Sequence, residues 1–279
     1  MPQPPPAAAE PAWPCRPPLG RRLARGAGQL ATALGDLVFE PGCLLCRLPA
    51  RRRRGNVCLR CWSGLRPATR TARACLLCGE PPVPGETSCR HCRDHPPPWS
   101  WLVTALDYSG QGRALILLYK FGPQGGRIPL ARPLASCLAA AMRASGIGRD
   151  IDCLTAVPSH RARIRERGFD AAWLLARALA RSSHLPAPRS FLKRIDATGP
   201  RARPPGERPG ASRRPFRLRR RAARRLAGRR VLLVDDVLTT GATLRSCAGL
   251  LAASGAAEVR TLALARTRRH SFDPAGGIV

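Results

Sequence analysis

Two adjacent carboxylates, Asp235 and Asp236, follow four branched apolar residues at 231–234. A turn rich in hydroxyl groups and glycine comes next, with the residues Val237, Leu238, Thr239, Thr240, Gly241, Ala242 and Thr243. This order predicts a buried parallel strand that ends at the ligand edge of an open sheet, then an anion-binding loop that opens a helix. Carboxylates accept hydrogen bonds from sugar hydroxyls or bind a divalent cation, and helix N-terminal amides attract phosphate. The segment therefore predicts a site for a phosphorylated sugar.

Eight of the twelve cysteines form four C-x-x-C pairs, which are Cys43/Cys46, Cys58/Cys61, Cys75/Cys78 and Cys89/Cys92. Two thiolates at this spacing reach one ion from a tight turn, and two such pairs complete the tetrahedral four-cysteine site typical of structural zinc. We predict two structural zinc ions held by sequential pairs, because Cys-Leu-Leu-Cys occurs at 43–46 and again at 75–78. The alternatives are cross-braced pairing, iron–sulfur ligation, thiol redox chemistry and a ligand role for His91 or His95.

A basic segment, residues 158–170, follows a predicted strand and carries His160, Arg161, Arg163, Arg165 and Arg167. Strand ends are ligand positions in such sheets, and a guanidinium binds phosphate in a bidentate manner. We therefore predict contacts to pyrophosphate or nucleic acid from this segment, with a solvated helix start as the alternative. Lys120 lies between a helical stretch and a glycine-rich turn, and it is predicted to project into the same pocket unless it is a surface lysine.

Apolar periodicity from Trp99 onwards alternates between strand and helix patterns. The predicted strands are Leu102–Tyr108, Asp152–Val157, Ser190–Ile195, Arg230–Val234 and Glu258–Ala265. The predicted helices are Arg113–Leu118, Pro129–Ala144, Gly168–Arg181 and Leu244–Ala253. Alternation of this kind predicts an α/β fold, with a mostly parallel sheet and flanking helices.

Composition divides the rest of the chain. Residues 1–40 are predicted to be disordered with one short helix, residues 41–95 to form the zinc module, and residues 99–268 to form the α/β domain with a tail at 269–279. Residues 196–225 are rich in Pro, Gly and Arg without periodicity, which predicts a flexible loop close to the carboxylates.

The net charge of +31 over 279 residues favours polyanionic ligands such as nucleic acid or phosphorylated molecules. Nearly all of the basic residues are arginine. Drift in the composition of the genome therefore explains the positive charge as well as a polyanionic ligand does. No apolar run is long enough for a membrane span, and no signal peptide is recognisable. Twelve cysteines without an export signal predict a cytoplasmic protein with metal-bound thiols.

The strand, the paired carboxylates and the threonine-rich loop resemble the phosphoribosyl pyrophosphate (PRPP) motif of type I phosphoribosyltransferases. Three further segments narrow the resemblance to the ComF family of competence-associated, phosphoribosyltransferase-like proteins. They are the cysteine module, residues 37–43 that lead into this module, and Arg165-Glu-Arg-Gly-Phe169. The resemblance extends over residues 34–266. It implies a type I phosphoribosyltransferase-like domain behind a double zinc ribbon.

The resemblance also implies roles for individual residues. Asp235 and Asp236 would bind the ribose hydroxyls of PRPP, and Thr239 to Thr243 would surround its 5′-phosphate, with Val237 and Leu238 also among the PRPP-binding residues. Lys120 would lie at the pyrophosphate loop. Mg²⁺ would bridge pyrophosphate and ribose oxygens. Asp235, Asp236 and Lys120 are therefore the candidate catalytic residues, for a reaction that displaces pyrophosphate from C1 of the ribose.

Some positions depart from the family pattern. Asp170-Ala171 replace the usual Asn-Gln, Arg201 replaces a common Gln, and Ala211 stands at about the position of a usual Asn. The phosphate and ribose contacts are thus kept, whereas the segments that would position a nucleophile are altered. We expect a PRPP-binding transferase of undefined acceptor that is linked to DNA uptake and natural transformation. The alternatives are an adaptor that binds single-stranded DNA and competence or DNA-processing proteins, and a regulator that senses PRPP.

Overall fold

A computed structural model of the protein describes residues 42–49, 53–54, 56–68, 75–79, 83–122, 128–195 and 215–267. The predicted N-terminal helix, the C-terminal tail and residues 196–214 lie outside these ranges. The described elements are β1 (Arg53–Arg54), β2 (Val57–Cys58), α1 (Leu59–Ser63), α2 (Arg90–Asp94), β3 (Trp101–Asp107), α3 (Gly110–Phe121), a 3-10 turn (Ile128–Leu130), α4 (Ala131–Ser145), β4 (Cys153–Ala156), α5 (Arg161–Arg167), α6 (Ala171–Ser182), β5 (Leu192–Arg194), β6 (Phe216–Leu218), α7 (Ala222–Leu226), β7 (Arg230–Leu238), α8 (Ala242–Ala253) and β8 (Glu258–Arg266).

The centre of the fold is a four-stranded parallel sheet with the strand order β3-β8-β7-β4. β7 pairs with β4 on one side and with β8 on the other, so its residues Val231–Val234 are fully buried. A strand buried on both faces needs a continuous apolar run rather than alternation, which is why this segment shows no alternating pattern. The predicted α/β class with a parallel sheet is confirmed.

Helices cover both faces of the sheet. On one face, α4 and α6 pack against each other and over Leu232 and Val234. On the other face, α8 packs over Val231 and Leu233. Successive side chains of a strand point to opposite faces, so one apolar run of β7 supplies both cores. All parallel strands end at the same edge, and that edge carries the polar residues of the candidate site.

Two predicted segments require correction. The prediction of one flexible loop over 196–225 is wrong at its C-terminal end, where β6 pairs antiparallel with β5 and α7 follows. Phe216 and Leu226 are buried there and pack into the core beside α8. Burial of these side chains stabilises β6 and α7 although the sequence of this segment has no strand or helix periodicity. The predicted helix at 168–181 begins instead at Ala171, because Gly168 ends α5 with a positive φ of 81°.

The cysteine module is attached directly to the α/β domain. Leu102 at the start of β3 donates its amide to the Leu76 carbonyl oxygen at 3.1 Å, and Ala68 donates to the Ala105 carbonyl oxygen at 3.0 Å. Val57 and Leu65 are buried in the same core as α3 and α4. A small metal-binding module has few apolar residues of its own, so it shares the core of its neighbour.

Among the described helices, none combines the length and the apolar character needed to cross a bilayer.

Candidate functional site

The eight paired cysteines form two tetrads. In each tetrad the four sulfur atoms lie within 4.8 Å of one another, and the members are Cys43, Cys46, Cys58 and Cys61 in the first and Cys75, Cys78, Cys89 and Cys92 in the second. The sequential pairing is therefore confirmed and the cross-braced alternative is wrong. His91 and His95 belong to neither tetrad.

The sulfur environments fit structural zinc. Cys43 Sγ accepts hydrogen bonds from the amides of Leu45 and Cys58 at 3.4 and 3.3 Å, and Cys58 Sγ accepts from the Cys61 amide at 3.4 Å. Amide donors of this kind stabilise thiolates, which are the form that binds metal. Four sulfur ligands leave no open position for substrate, so both tetrads are structural rather than catalytic centres.

The paired carboxylates lie inside β7, which extends to Leu238 instead of ending at Val234 as predicted. Asp235 is 8% exposed, and its Oδ1 accepts a hydrogen bond from the Asp236 amide at 2.8 Å. Burial raises the pKa of Asp235 from 3.8 to about 7, and the neighbouring charge of Asp236 adds to this shift. The site therefore contains a carboxyl group that titrates near neutral pH.

Lys120 reaches the same point from α3. Its Nζ lies 2.7 Å from Asp236 Oδ2, with both side chains largely buried. The preceding residue, Tyr119, donates its hydroxyl to the Ala171 carbonyl oxygen at 2.8 Å and so fixes the end of α3 against α6. The surface-lysine alternative is thus wrong, and the structure brings Lys120 to the paired carboxylates.

The threonine-rich segment forms the turn between β7 and α8. Gly241 has a φ of 79°, a left-handed conformation that glycine adopts without the steric cost of a Cβ. Thr240 Oγ1 accepts a hydrogen bond from the Ala242 amide at 3.4 Å and thereby stabilises the turn. The N-terminus of the twelve-residue helix α8 consequently opens at the carboxyl edge of the sheet, next to the carboxylates.

The basic segment after β4 forms a short helix, α5. His160 caps this helix, since its Nδ1 accepts from the Ala162 amide at 3.1 Å. Arg161 and Arg165 occupy exposed positions of α5 and are not among the residues that line the cavity described below. The arginines of this segment therefore divide into two groups, and only Arg163 and Arg167 face the site.

Arg167 is buried, with 5% of its surface exposed, and its Nε and Nη2 have no hydrogen-bond partner among the described residues. Its guanidinium lies over the Phe121 ring at 4.3 Å from the centroid. Burial lowers the pKa of this guanidinium, while the charge of Asp236 opposes the shift. A buried cation with unsatisfied donors is costly, so this position is suited to an anionic ligand.

Asp170 has a clear structural role. Its carboxylate accepts from the Ser159 amide and hydroxyl at 3.0 Å each, and from the Trp173 amide at 3.2 Å. It therefore caps α6 and also holds the loop that leads from β4 to His160. Asp170 thereby positions the basic segment.

One cavity of about 640 Å³ joins these groups at the carboxyl edge of the sheet. The predicted residues that line it are Lys120, His160, Arg163, Arg167, Asp235, Asp236, Val237, Leu238, Thr239, Gly241, Ala242 and Thr243. Sequence reasoning missed Tyr108, Phe121, Ser159 and Arg194, which line it as well. Arg194 comes from β5, whose three residues carry no motif, so only its position beside β6 brings it to the cavity.

Comparison with protein families and known proteins agrees with this architecture. The model of the double zinc ribbon domain matches residues 34–95, and the model of the phosphoribosyl transferase domain matches residues 171–276. The second match includes β7, the threonine-rich turn and α8.

Three curated proteins are similar along nearly their whole length. The DNA utilization protein YhgH of Escherichia coli K12 is 33% identical over 241 residues, which make up 83% of this chain and 100% of the relative. The protein of the same name from Salmonella typhimurium is 31% identical over 240 residues, with 83% and 100% covered. Competence protein F of Haemophilus influenzae is 28% identical over 238 residues, with 82% and 98% covered. The chain therefore belongs to the ComF family of phosphoribosyltransferase-like proteins with an N-terminal double zinc ribbon.

Proposed function

We propose that the cavity at the carboxyl edge of the sheet binds PRPP. The observation that carries the proposal is the convergence of the paired carboxylates, Lys120 and the turn before α8 on one cavity. Carboxylates accept hydrogen bonds from vicinal ribose hydroxyls, and the turn at a helix N-terminus suits the 5′-phosphate. Ribonucleotides share these two groups, so the basic side of the cavity is what favours PRPP among them.

The basic side of the cavity is suited to the pyrophosphate group. Arg163, Arg167 and Arg194 line it together with His160, and Arg167 has donors without partners among the described residues. A guanidinium binds phosphate oxygens through two parallel hydrogen bonds. Mg²⁺ takes oxygen ligands from carboxylates and phosphates, so the donor set of Asp235 and Asp236 fits the metal, which would neutralise charge on the pyrophosphate.

The reaction that this ligand supports is phosphoribosyl transfer. The bond between ribose C1 and the pyrophosphate oxygen breaks, a bond from C1 to an acceptor nucleophile forms, and pyrophosphate leaves with the electron pair. Support comes from the family match to phosphoribosyl transferase domains.

Calorimetric titration with PRPP and Mg²⁺ tests the binding step. Asp236→Asn should weaken binding by about 30-fold, because a hydrogen bond to a charged group contributes roughly 2 kcal/mol. Asp150→Asn is the matched control, since Asp150 is an exposed aspartate with a positive φ that asparagine also adopts. Absence of PRPP binding to the wild-type protein, or equal affinity in both variants, would contradict the proposal.

A second candidate function, binding of single-stranded DNA, is favoured by a basic face formed by β5, β6 and α7. Between Asp170 and Asp235, the described residues 171–195 and 215–234 include thirteen Arg and Lys residues and no Asp or Glu. Six exposed arginines are concentrated in nine residues, and they are Arg217, Arg219, Arg220, Arg221, Arg224 and Arg225. The names of the relatives, DNA utilization protein and Competence protein F, further support a role in DNA handling.

Two triple variants that remove the same number of positive charges test whether DNA binds to this face or responds only to the overall charge of the protein. In one, Arg217, Arg224 and Arg225 become Gln; in the other, the exposed helix residues Arg113, Arg132 and Arg143 become Gln. Fluorescence anisotropy with a labelled thymidine oligonucleotide should show weaker binding for the first variant only. The slope of log affinity against log salt should fall by about 2, since each phosphate contact on a single strand contributes about 0.7. Equal effects of the two variants would count against a dedicated DNA face.

A further inference from the structure

Helix α8 connects the ligand cavity to the cysteine module. Its first residues, Ala242 and Thr243, line the cavity together with Gly241. Arg245 lies in the first turn of the same helix, and its amide donates to the Gly241 carbonyl oxygen at 2.8 Å. The backbone of Arg245 is thus one hydrogen bond away from the turn that we propose for the 5′-phosphate.

The side chain of Arg245 points in the other direction. Its guanidinium donates to the Pro96 carbonyl oxygen at 3.0 Å and to the His95 carbonyl oxygen at 3.4 Å, and it lies 5.6 Å from the Trp99 ring centroid. These acceptors belong to the short connector that follows Cys92, the last ligand of the second tetrad. One arginine therefore joins the turn at the cavity to the end of the second metal centre.

A second set of contacts supports the same connection. Trp99 donates its indole Nε1 hydrogen to the Leu77 carbonyl oxygen at 2.7 Å, and Leu77 lies between Cys75 and Cys78. The Leu77 side chain packs both against the cysteines of the second tetrad and against the core that contains α8. The backbone of this knuckle is fixed in turn by the hydrogen bond from Leu102 to Leu76.

The first tetrad has a different neighbour. Cys43 and Cys61 are buried in the core on the opposite face of the sheet from α8. Segment 66–68 beside it pairs with the end of β3. The two metal centres are therefore not equivalent with respect to α8, because among the described residues only the second centre contacts the connector that Arg245 holds.

We propose that the second four-cysteine centre determines the conformation of the turn before α8 through Arg245, so that zinc at this centre and the phosphoribosyl ligand in the cavity stabilise each other. The inference rests on the proposed PRPP binding for its ligand. Zinc fixes the knuckles that present the Pro96 and His95 carbonyl oxygens, because a site of four cysteines folds around its metal. With these acceptors fixed, Arg245 holds the first turn of α8 in the geometry that the ligand uses.

Thermodynamic linkage makes this coupling reciprocal. If zinc raises the affinity for PRPP by a given factor, PRPP raises the affinity for zinc at the second centre by the same factor. PRPP should also slow zinc loss to a chelator, because it stabilises the zinc-loaded state. Charge-assisted hydrogen bonds from a guanidinium to two carbonyl oxygens are among the stronger polar contacts, so we expect coupling of about fivefold or more.

The test compares Arg245→Gln with Arg132→Gln in the zinc-loaded full-length protein. Both arginines lie in the first turn of a long helix, but Arg132 is exposed on α4 and lies at the far side of the sheet from α8. We expect Arg245→Gln to weaken PRPP binding by about fivefold or more and Arg132→Gln to leave it unchanged. Arg245→Lys, which can still donate to one carbonyl oxygen, should recover part of the affinity.

Zinc release supplies the readout that a merely structural role would not change. Release to a chromogenic chelator is followed with and without PRPP, and Cys46→Ser together with Cys58→Ser isolates the second centre. PRPP should slow release from this centre in the wild-type background and have no effect when Arg245→Gln is added. Unchanged PRPP affinity in Arg245→Gln, or release that does not respond to PRPP, would overturn the coupling alone. If the zinc-loaded wild-type protein does not bind PRPP, both the coupling and the proposed function fail.

Discussion

Replacement of Asp235 by asparagine tests whether the cavity keeps a buried carboxyl group protonated near neutral pH. Burial, assisted by the charge of Asp236, raises the pKa of Asp235 in the folded protein from 3.8 to about 7. In the unfolded chain the same group ionises at its ordinary pKa of about 3.9. The folded state therefore binds a proton more tightly than the unfolded state, and its stability must depend on pH.

The sign follows from this difference. The stability that the protonated group supports is fully present below the unfolded-state pKa and is lost as pH rises towards the folded-state pKa of about 7. Each pH unit in this window lowers the free energy of unfolding by about 1.4 kcal/mol. Asparagine does not titrate, and its Oδ1 can still accept the hydrogen bond from the Asp236 amide. The variant should therefore gain stability relative to wild type by about 2 kcal/mol between pH 5.5 and 7, and the difference should level off above pH 7.

Urea denaturation of the zinc-loaded, PRPP-free protein, followed by tryptophan fluorescence, measures this difference at half-unit pH steps. Subtraction of the wild-type curve cancels the titration of the other groups, including the cysteines. Asp150→Asn makes the same chemical change at an exposed position, where burial does not act on the carboxyl group, and is the matched control. A flat difference for Asp235→Asn, or one that falls with rising pH, would refute the argument that burial dominates at this carboxyl group.

Three further outcomes are expected. Metal analysis should find two zinc ions per chain, and one after Cys89→Ser with Cys92→Ser; a single ion in the wild-type protein would contradict the two tetrads. Gly241→Ala and Gly146→Ala should each lose about 1 kcal/mol of stability in a urea titration, because both have positive φ, but only the first should weaken PRPP binding. Asp170→Ala removes three hydrogen bonds that hold the loop after β4, so PRPP affinity should fall about tenfold in calorimetry, and less for Asp170→Asn, which keeps one acceptor oxygen. Equal affinities for the two Asp170 variants would show that this loop does not depend on the carboxylate.

The sequence alone determined the metal ligands and the acidic strand end. Four C-x-x-C pairs leave few chemistries other than metal binding by four cysteines, and the order of a buried run, two carboxylates and a threonine-glycine turn indicates a strand, an edge and a helix N-terminus. These features are local, because each depends on residues that lie within about twenty positions of one another. Local spacing is what a sequence reports directly.

Features that depend on distant segments could not be read in this way. Arg161, Arg163, Arg165 and Arg167 look equivalent in the sequence, but the helical rotation of α5 and the burial of its end direct only Arg163 and Arg167 into the cavity. The segment at 216–226 has no period, and it becomes strand and helix because Phe216 and Leu226 find a core beside α8. Tertiary burial decided its structure.

What the sequence determined about this protein is therefore its set of chemical groups: eight thiolates for two metal ions, a pair of carboxylates and an anion-binding turn. The tertiary structure decided which of these groups act together. Lys120 meets Asp236 at 2.7 Å although 116 positions separate them in the chain, since α3 and β7 end at the same edge. Arg245 joins the second metal centre to the cavity across 149 positions. Distances of this kind depend on how strands pair and how helices pack, and neither is encoded in the spacing of a motif.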